Sequence, residues 1–204
     1  MSSKIDFKKS LPNIYAPKNT EWQEIDIPPL QYIMINGAGN PNTSPHYKAA
    51  VEALYSTSYA AKFISKREFD RDYVVPPLEG LWYADDMSVF ETFDKDKYKW
   101  TMMIMQPEWM TAQIIERAIE TAHNKRPDLP HDILRLEQYK EGKCLQLLHV
   151  GSYDDEAPKL YALHHKLMPL SALIFNGHHH EIYLSDPRKV VPEKLRTILR
   201  QPVR

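Results

Sequence analysis

One cysteine, Cys144, stands among 204 residues, which excludes an internal disulfide and any multi-cysteine zinc site. Positive charge is not in excess: 26 Lys plus Arg face 27 Asp plus Glu, a formal net charge of -1. Nucleic-acid phosphates need concentrated positive charge, so no nucleic-acid partner is expected. No stretch nears the roughly 20 apolar residues of a membrane span, and the opening MSSKIDFKKSLPNIY lacks an apolar run of signal-peptide length. A cytoplasmic chain with no membrane partner is expected. The P-loop, the paired-glycine dinucleotide fingerprint and the serine elbow are missing too, and no cofactor is expected. Glycine is scarce, at six against sixteen prolines. Many prolines fall where elements should end, which predicts short elements with firm punctuation.

Hydrophobic residues at 43% and charged residues at 26% make an ordinary globular balance. Residues 1–29 read as a polar extension packed on the domain through Phe7, Ile14, Tyr15 and Trp22. LQYIMING, from residue 30, predicts a strand closed by glycine. Ser44 then caps a helix with Pro45 at its first position, running to about Ile64. YVVPPLEGLWYAD predicts a strand broken or bulged at Pro76-Pro77 and Gly80, and KYKWTMMIMQP a strand ended by Pro107. A joining helix is expected over about 108–123. ILRLEQYKEGKCLQLLHVG reads as two strands of a hairpin turning at KEGK. DDEAPKLYALHHKLM predicts a third helix opened by three acids, HHHEIYLSD a strand, and VPEKLRTIL a short closing helix.

The order of elements repeats. A strand ending in Gly37 leads through a loop to a helix and then to GLWYAD; a strand ending in Gly151 leads through SYDDE to a helix and then to EIYLSD. Aligning the two sets Trp82 against Tyr183 and Gly80 against Glu181. The expected fold is α+β, a tandem strand-helix-strand-strand repeat over 30–204. Its halves, about 30–106 and 130–204, flank a ligand groove.

Three consecutive histidines, His178 to His180, first suggest metal. On a strand, however, neighbours alternate faces and cannot converge on one ion, so no metal site is expected. Alternation instead sets His179, Glu181 and Tyr183 on one face. A strand glutamate ordinarily points to water. If the other half covers that face, Glu181 lines a cleft and wants a cation or an acid/base role. Trp82, Tyr83, Trp100, Trp109 and Tyr183, with the soft Met103 and Met105, would give such a cleft aromatic and adaptable walls suited to a flat apolar cation. Each would equally serve as core. Tyr153 stands in a loop that opens a helix, and His149 shares a strand face with Leu145 and Leu147, as a ligand contact or a satisfied core histidine.

QLLHVGSYDDE, then HHEIYLSDPRK and PEKLRTILRQPV, with PPLEGLWYADD and WTMMIMQPEWMT upstream, resemble the stand-alone GyrI-like proteins. These are relatives of the ligand-binding domain of multidrug-sensing transcription activators. The resemblance implies two pseudo-symmetric halves around a groove, with Glu181 in the groove and Tyr153 nearby. It implies lipophilic, often cationic small-molecule ligands. Some relatives resemble hydrolases of cyclopropane-containing electrophiles, which would make Glu181 the general base and Tyr153 the group that positions substrate, in a detoxifying role. The alternative is a non-enzymatic interaction protein or inhibitor of a macromolecular partner. A monomer or homodimer is expected.

Overall fold

A computed structural model describes residues 4–204. In chain order, two single-turn helices, α1 (Phe7–Ser10) and α2 (Pro12–Tyr15), precede strands β1 (Gln23–Ile27) and β2 (Leu30–Ala38). The long α3 (Pro45–Phe69) follows, then β3 (Leu78–Tyr83), β4 (Lys99–Gln106), α4 (Ala112–Lys125), β5 (Arg135–Tyr139) and β6 (Gly142–Val150). A 3-10 turn at Tyr153–Glu156 leads into α5 (Ala157–Ala162), a π turn at Leu163–Leu167 and α6 (Met168–Leu170). Strands β7 (His179–Tyr183) and β8 (Arg196–Pro202) complete the chain.

All eight strands form one antiparallel sheet in the order β1-β6-β8-β7-β3-β4-β2-β5. The two halves are mirrored in that order: β6-β8-β7 meets β3-β4-β2 at the β7–β3 pair. Gly80 and Glu181, equivalent in the repeat, are direct cross-strand partners at this junction. Two short links cross between the ends of the sheet. Pro28-Pro29 joins β1 at one end to β2 near the other, and Lys140-Glu141 joins β5 at the far end to β6. Such short links can span the sheet only if it curls, and the result is a half-barrel.

The curl corrects the local readings. KEGK does not turn a hairpin: β5 pairs with β2, while β6 pairs with β1 and β8. All five residues of β1 lie in the stretch read as an extension, yet they form an edge of the sheet; the first three residues of that stretch lie outside the described residues. VPEKLRTIL is not a helix. Pro192–Lys194 makes a single 3-10 turn, and the β-branched Thr197 and Ile198 enter β8 in the interior of the sheet. Pro76-Pro77 ends before β3, which runs unbroken through Gly80. Helix α3 extends past Ile64 to Phe69, where Asp70 takes a left-handed conformation at φ 51. The joining helix starts later than expected, at Ala112, because Thr111 caps it by accepting from the Ile114 amide.

Both faces of the sheet are covered. On the outer face, α3 and α4 pack Ala50, Leu54, Ala61, Ile114 and Ile115 against Ile33, Ile35, Trp100 and Ile104. Inside the curl, α2 brings Ile14 and Tyr15 against Tyr32, Met103, Met105 and Ile182. This interior also holds charge. His180 lies between two carboxylates, with Nε2 at 3.0 Å from Glu79 and Nδ1 at 2.8 Å from Glu141. Arg200 meets the other oxygen of Glu141 at 2.8 Å and donates to Gln146 and to the Ile14 carbonyl. Tyr15 donates to Glu79 at 2.8 Å. Two carboxylates thus face one guanidinium and one imidazolium, so the buried charges balance when His180 is protonated.

Burial opposes charge on His180, but Glu141 and Glu79 outweigh it and hold its pKa above the ordinary value. Its contribution to stability is complete below the ordinary histidine value and is lost as pH rises through the folded value. Burial likewise opposes charge on Glu141, and His180 and Arg200 override it, lowering the carboxyl to about 2. That contribution is present above the ordinary carboxylate range and is lost as pH falls toward 2. Denaturant unfolding should therefore show stability declining on the alkaline side of the His180 transition. His180→Gln should cost about 3–5 kcal/mol on the acidic side of that transition, as for a broken buried pair, and should flatten the alkaline decline.

Candidate functional site

The outer face of the second half is not covered by a long helix, and there a groove of about 2560 Å³ opens. Its floor is the sheet around β7 and β3. One wall is a stripe of α3 made by Tyr47, Val51, Tyr55 and Tyr59, which recur every four residues and so share a helix face. The opposite wall is the Tyr153–Glu156 turn with α5, and Phe90 and Tyr98 close one side.

Strand alternation builds the floor. Glu181 sits opposite Gly80, Tyr183 opposite Leu78 and His179 opposite Trp82, all on one face. Because Gly80 has no side chain, the indole of Trp82 folds back over it: a Cβ there would lie 3.0 Å from the indole nitrogen and 3.1 Å from Met102 Sδ. In that position Trp82 Nε1 donates to the Tyr183 hydroxyl at 3.0 Å, and Tyr183 in turn donates to Glu181 Oε2 at 2.7 Å. On the other side, His179 Nε2 lies 3.4 Å from Glu181 Oε1 without hydrogen-bond alignment, and neither His179 nitrogen has a partner. Oε1 is therefore the oxygen open to a ligand or water. Tyr153 sets its ring against Tyr183 edge to face at 5.8 Å, over the same carboxylate.

The groove keeps its phenols protonated. Burial, then the nearby Glu181 charge, raises Tyr47, Tyr98 and Tyr183, and pushes Tyr153 up to about 12. These groups face the groove as hydrogen-bond donors. Burial, followed by His179, lowers His164 to about 4, so this lining imidazole is neutral.

The sequence matches the GyrI-like small molecule binding domain over residues 20–204. The chain belongs to this family. An uncharacterized conserved protein from Listeria innocua is 38% identical, with a TM-score of 0.90 covering 98% of this chain and 100% of the other. A hydrolase from Listeria innocua is 38% identical, with a TM-score of 0.85 over 98% of this chain and 100% of its own. The C-terminal domain of EcmrR shares the fold at 8% identity, with a TM-score of 0.55 over 90% of this chain and 97% of that one. No curated protein matches the sequence. Among the described residues, no helix is long and apolar enough to cross a membrane.

Of the residues predicted for the GyrI-like groove, Glu181, Tyr153, Trp82, His179 and Tyr183 line it together. The others lie elsewhere. Met103 and Met105 point to the opposite face and pack inside the curl with Tyr15 and Tyr32. Tyr83 also faces away from Trp82 and stacks on His178 at 4.3 Å. Trp109 packs near the C-terminal end of α3, donating to Ser65 with Arg71 over its ring. Trp100 is fully buried behind the groove, its ring edge against Tyr47 at 5.2 Å, and supports the wall without lining it. His149 shares the row of Thr197 and Tyr183 but is buried, its Nε2 2.8 Å from the Ser152 carbonyl. Tyr47, Tyr55, Phe90 and Glu156 are lining residues that sequence reading missed. For the two helix tyrosines the signal was their eight-residue spacing.

Gly80→Ala should push the Trp82 indole off Tyr183, with a cost of about 1 kcal/mol for the lost hydrogen bond. The indole N–H resonance of Trp82, identified by its loss in Trp82→Phe, should shift in the variant while the fold is kept. An unshifted resonance would show that Met102 alone accommodates the methyl group.

Proposed function

We propose that this GyrI-like chain binds flat, lipophilic small molecules in the groove and hydrolyses those that are electrophilic, cyclopropane-containing compounds included. Glu181 is the general base. The observation that carries this reading is the state of one carboxylate. Glu181 is held by Tyr183 through one oxygen, leaves the other toward the groove, and has no lysine or arginine against it. A carboxylate oriented by donors and free of a cation is suited to accept a proton from water. The full-length similarity to a Listeria innocua hydrolase supports the same direction.

In the reaction, water bound at Glu181 Oε1 gives a proton to the carboxylate while its oxygen bonds to the electrophilic carbon. The strained carbon–carbon bond breaks, and its electron pair leaves with the other ring atom, which is then protonated. Tyr153 donates a hydrogen bond to the substrate, and the aromatic walls hold it flat and exclude bulk water. Cationic ligands that carry no electrophilic carbon would bind at the same carboxylate against the same π faces.

Purified protein incubated with an activated cyclopropyl ketone should yield a ring-opened product heavier by one water, detected by mass spectrometry. Glu181→Gln should lower kcat by at least about 100-fold with the melting temperature kept, and Tyr153→Phe should lower it less. Unchanged turnover in Glu181→Gln would sink the assignment of the base. Saturable binding of aromatic cations with no product from any electrophile would reduce the function to binding.

A further inference from the structure

The groove contains a second carboxyl, and among the described residues it is the buried glutamate with no ion pair, whereas Glu79 and Glu141 each have one. Glu156 is 4% exposed, and its Oε1 has no hydrogen-bond partner. The protein elsewhere shows how it buries a structural carboxylate: Glu79 has Tyr15 and His180, and Glu141 has His180 and Arg200. Glu156 has no such cation. A buried carboxyl without one is stable only as the neutral acid.

Its aim follows from the turn that carries it. In the 3-10 turn Tyr153–Glu156, residues three apart eclipse each other, so Glu156 stands on the same side as Tyr153. A reciprocal cap pins that turn: Ser152 donates to Asp155 through its hydroxyl at 2.7 Å and its amide at 3.1 Å. The three acids of DDE therefore have three fates. Asp155 caps, Asp154 reaches out to Lys95 at 3.4 Å, and Glu156 enters the groove wall. Facing it from β8 is Thr197, fully buried, next to Tyr183 in the sheet.

We propose that Glu156 is the acid of the site, giving its proton to the electron pair released when the substrate bond breaks. This rests on the hydrolytic reading above and completes its proton balance. Water loses one proton to Glu181 as its oxygen bonds to carbon. The departing electron pair takes one proton from Glu156. The step ends with Glu181 protonated and Glu156 ionised, and one proton passing from the first to the second through solvent resets the site. Before reaction the charge of Glu181 opposes ionisation of Glu156, and the two groups divide the roles.

The charges around Glu156 agree. Burial comes first, then Glu181 on β7; these, with Asp154 on its own turn, raise its pKa, while Thr197 on β8 and Lys159 on α5 act the other way. The balance lies at about 10, which keeps the acid protonated at neutral pH.

The test is the pH profile of kcat/KM with the activated cyclopropyl ketone for the wild type and two variants. The wild type should hold its rate through neutral pH and fall above about pH 10. Glu156→Gln, which keeps size and hydrogen bonding but cannot release a proton, should lose about 100-fold in kcat with KM little changed, and should lose the alkaline fall. Thr197→Val removes one of the two groups that favour the ionised form, so it should stay active with its alkaline fall moved to higher pH. A Glu156→Gln enzyme with the wild-type rate and profile, while Glu181→Gln is inactive, overturns this proposal and leaves the base intact. If Glu156→Gln does not fold, an unmoved alkaline fall in Thr197→Val overturns the proposal by itself. Absence of turnover in the wild type overturns both assignments.

Discussion

The pairing of Gly80 with Glu181 is the contact on which the rest of the site depends. It lies where the two halves of the repeat meet, so a single hydrogen-bonded register places first-half and second-half residues side by side. The missing side chain at Gly80 lets Trp82 reach Tyr183, and Tyr183 then orients Glu181. Each donor is fixed by the one behind it, so the carboxylate needs no reorganisation when a ligand arrives. The same register decides what happens beneath the floor. Because strand neighbours alternate, a one-residue shift of β7 would exchange Glu181 with His180 and put an imidazolium in the groove. The interior ion cluster opposes this shift. His180 fits only between Glu79 and Glu141, and only in the observed register. Buried ionic groups are best attested as register keys, and this one guards the position of Glu181 from the other side of the sheet.

The acids of the interior and of the groove thus fall into two kinds, distinguished by their partners, with Glu181 only half-buried. Glu79 and Glu141 are closed in by cations and belong to the fold. Glu181 and Glu156 face aromatic rings and hydroxyls, with no lysine or arginine in contact. An aromatic groove amplifies their mutual repulsion because few water molecules screen it. Tyrosine suits the walls for the same reason: beside Glu181 its hydroxyl is held in the protonated, donating form.

Much of this was legible where local patterns coincide with long-range ones. The repeat of strand, helix and strand is visible in the sequence, and alternation alone places Glu181 with Tyr183 and His179. The histidine run dissolved as alternation required, with His179 in the groove and His180 in the interior. What was not legible depended on parity or on distant partners. Strand β4 is buried on both faces, and its run WTMMIMQ puts one polar residue on each, Thr101 with Met103 and Met105 and Gln106 with Trp100, so no alternation tells them apart. KEGK has the composition of a hairpin turn, but Glu141 is committed to His180 and Arg200, far away in sequence, and Gly142 starts β6 at φ 69. PEKLRTIL has helix formers in plenty, and the sheet overrode them. Glu156 was hidden among three acids that all looked like helix-dipole residues.

The two walls of the groove are anchored unequally, and this bears on how the proposed site would fit ligands of different width. Helix α3 is twenty-five residues long and buries nine of them, among them Leu54, Ala61 and Ile64, so its tyrosine stripe is held by a full core. Helix α5 buries none of its six residues and passes at once into a π turn, with Leu163 and Met168 as its anchors. Little apolar contact opposes its displacement, so it is the wall that adjusts at the lowest cost. The proposed chemistry would be separated from that adjustment. Glu181 stands on the sheet, and Tyr153 and Glu156 stand on a turn tied by its own cap before α5 begins. A ligand of different width would move the helix beyond the turn and leave both carboxyls where the chemistry needs them.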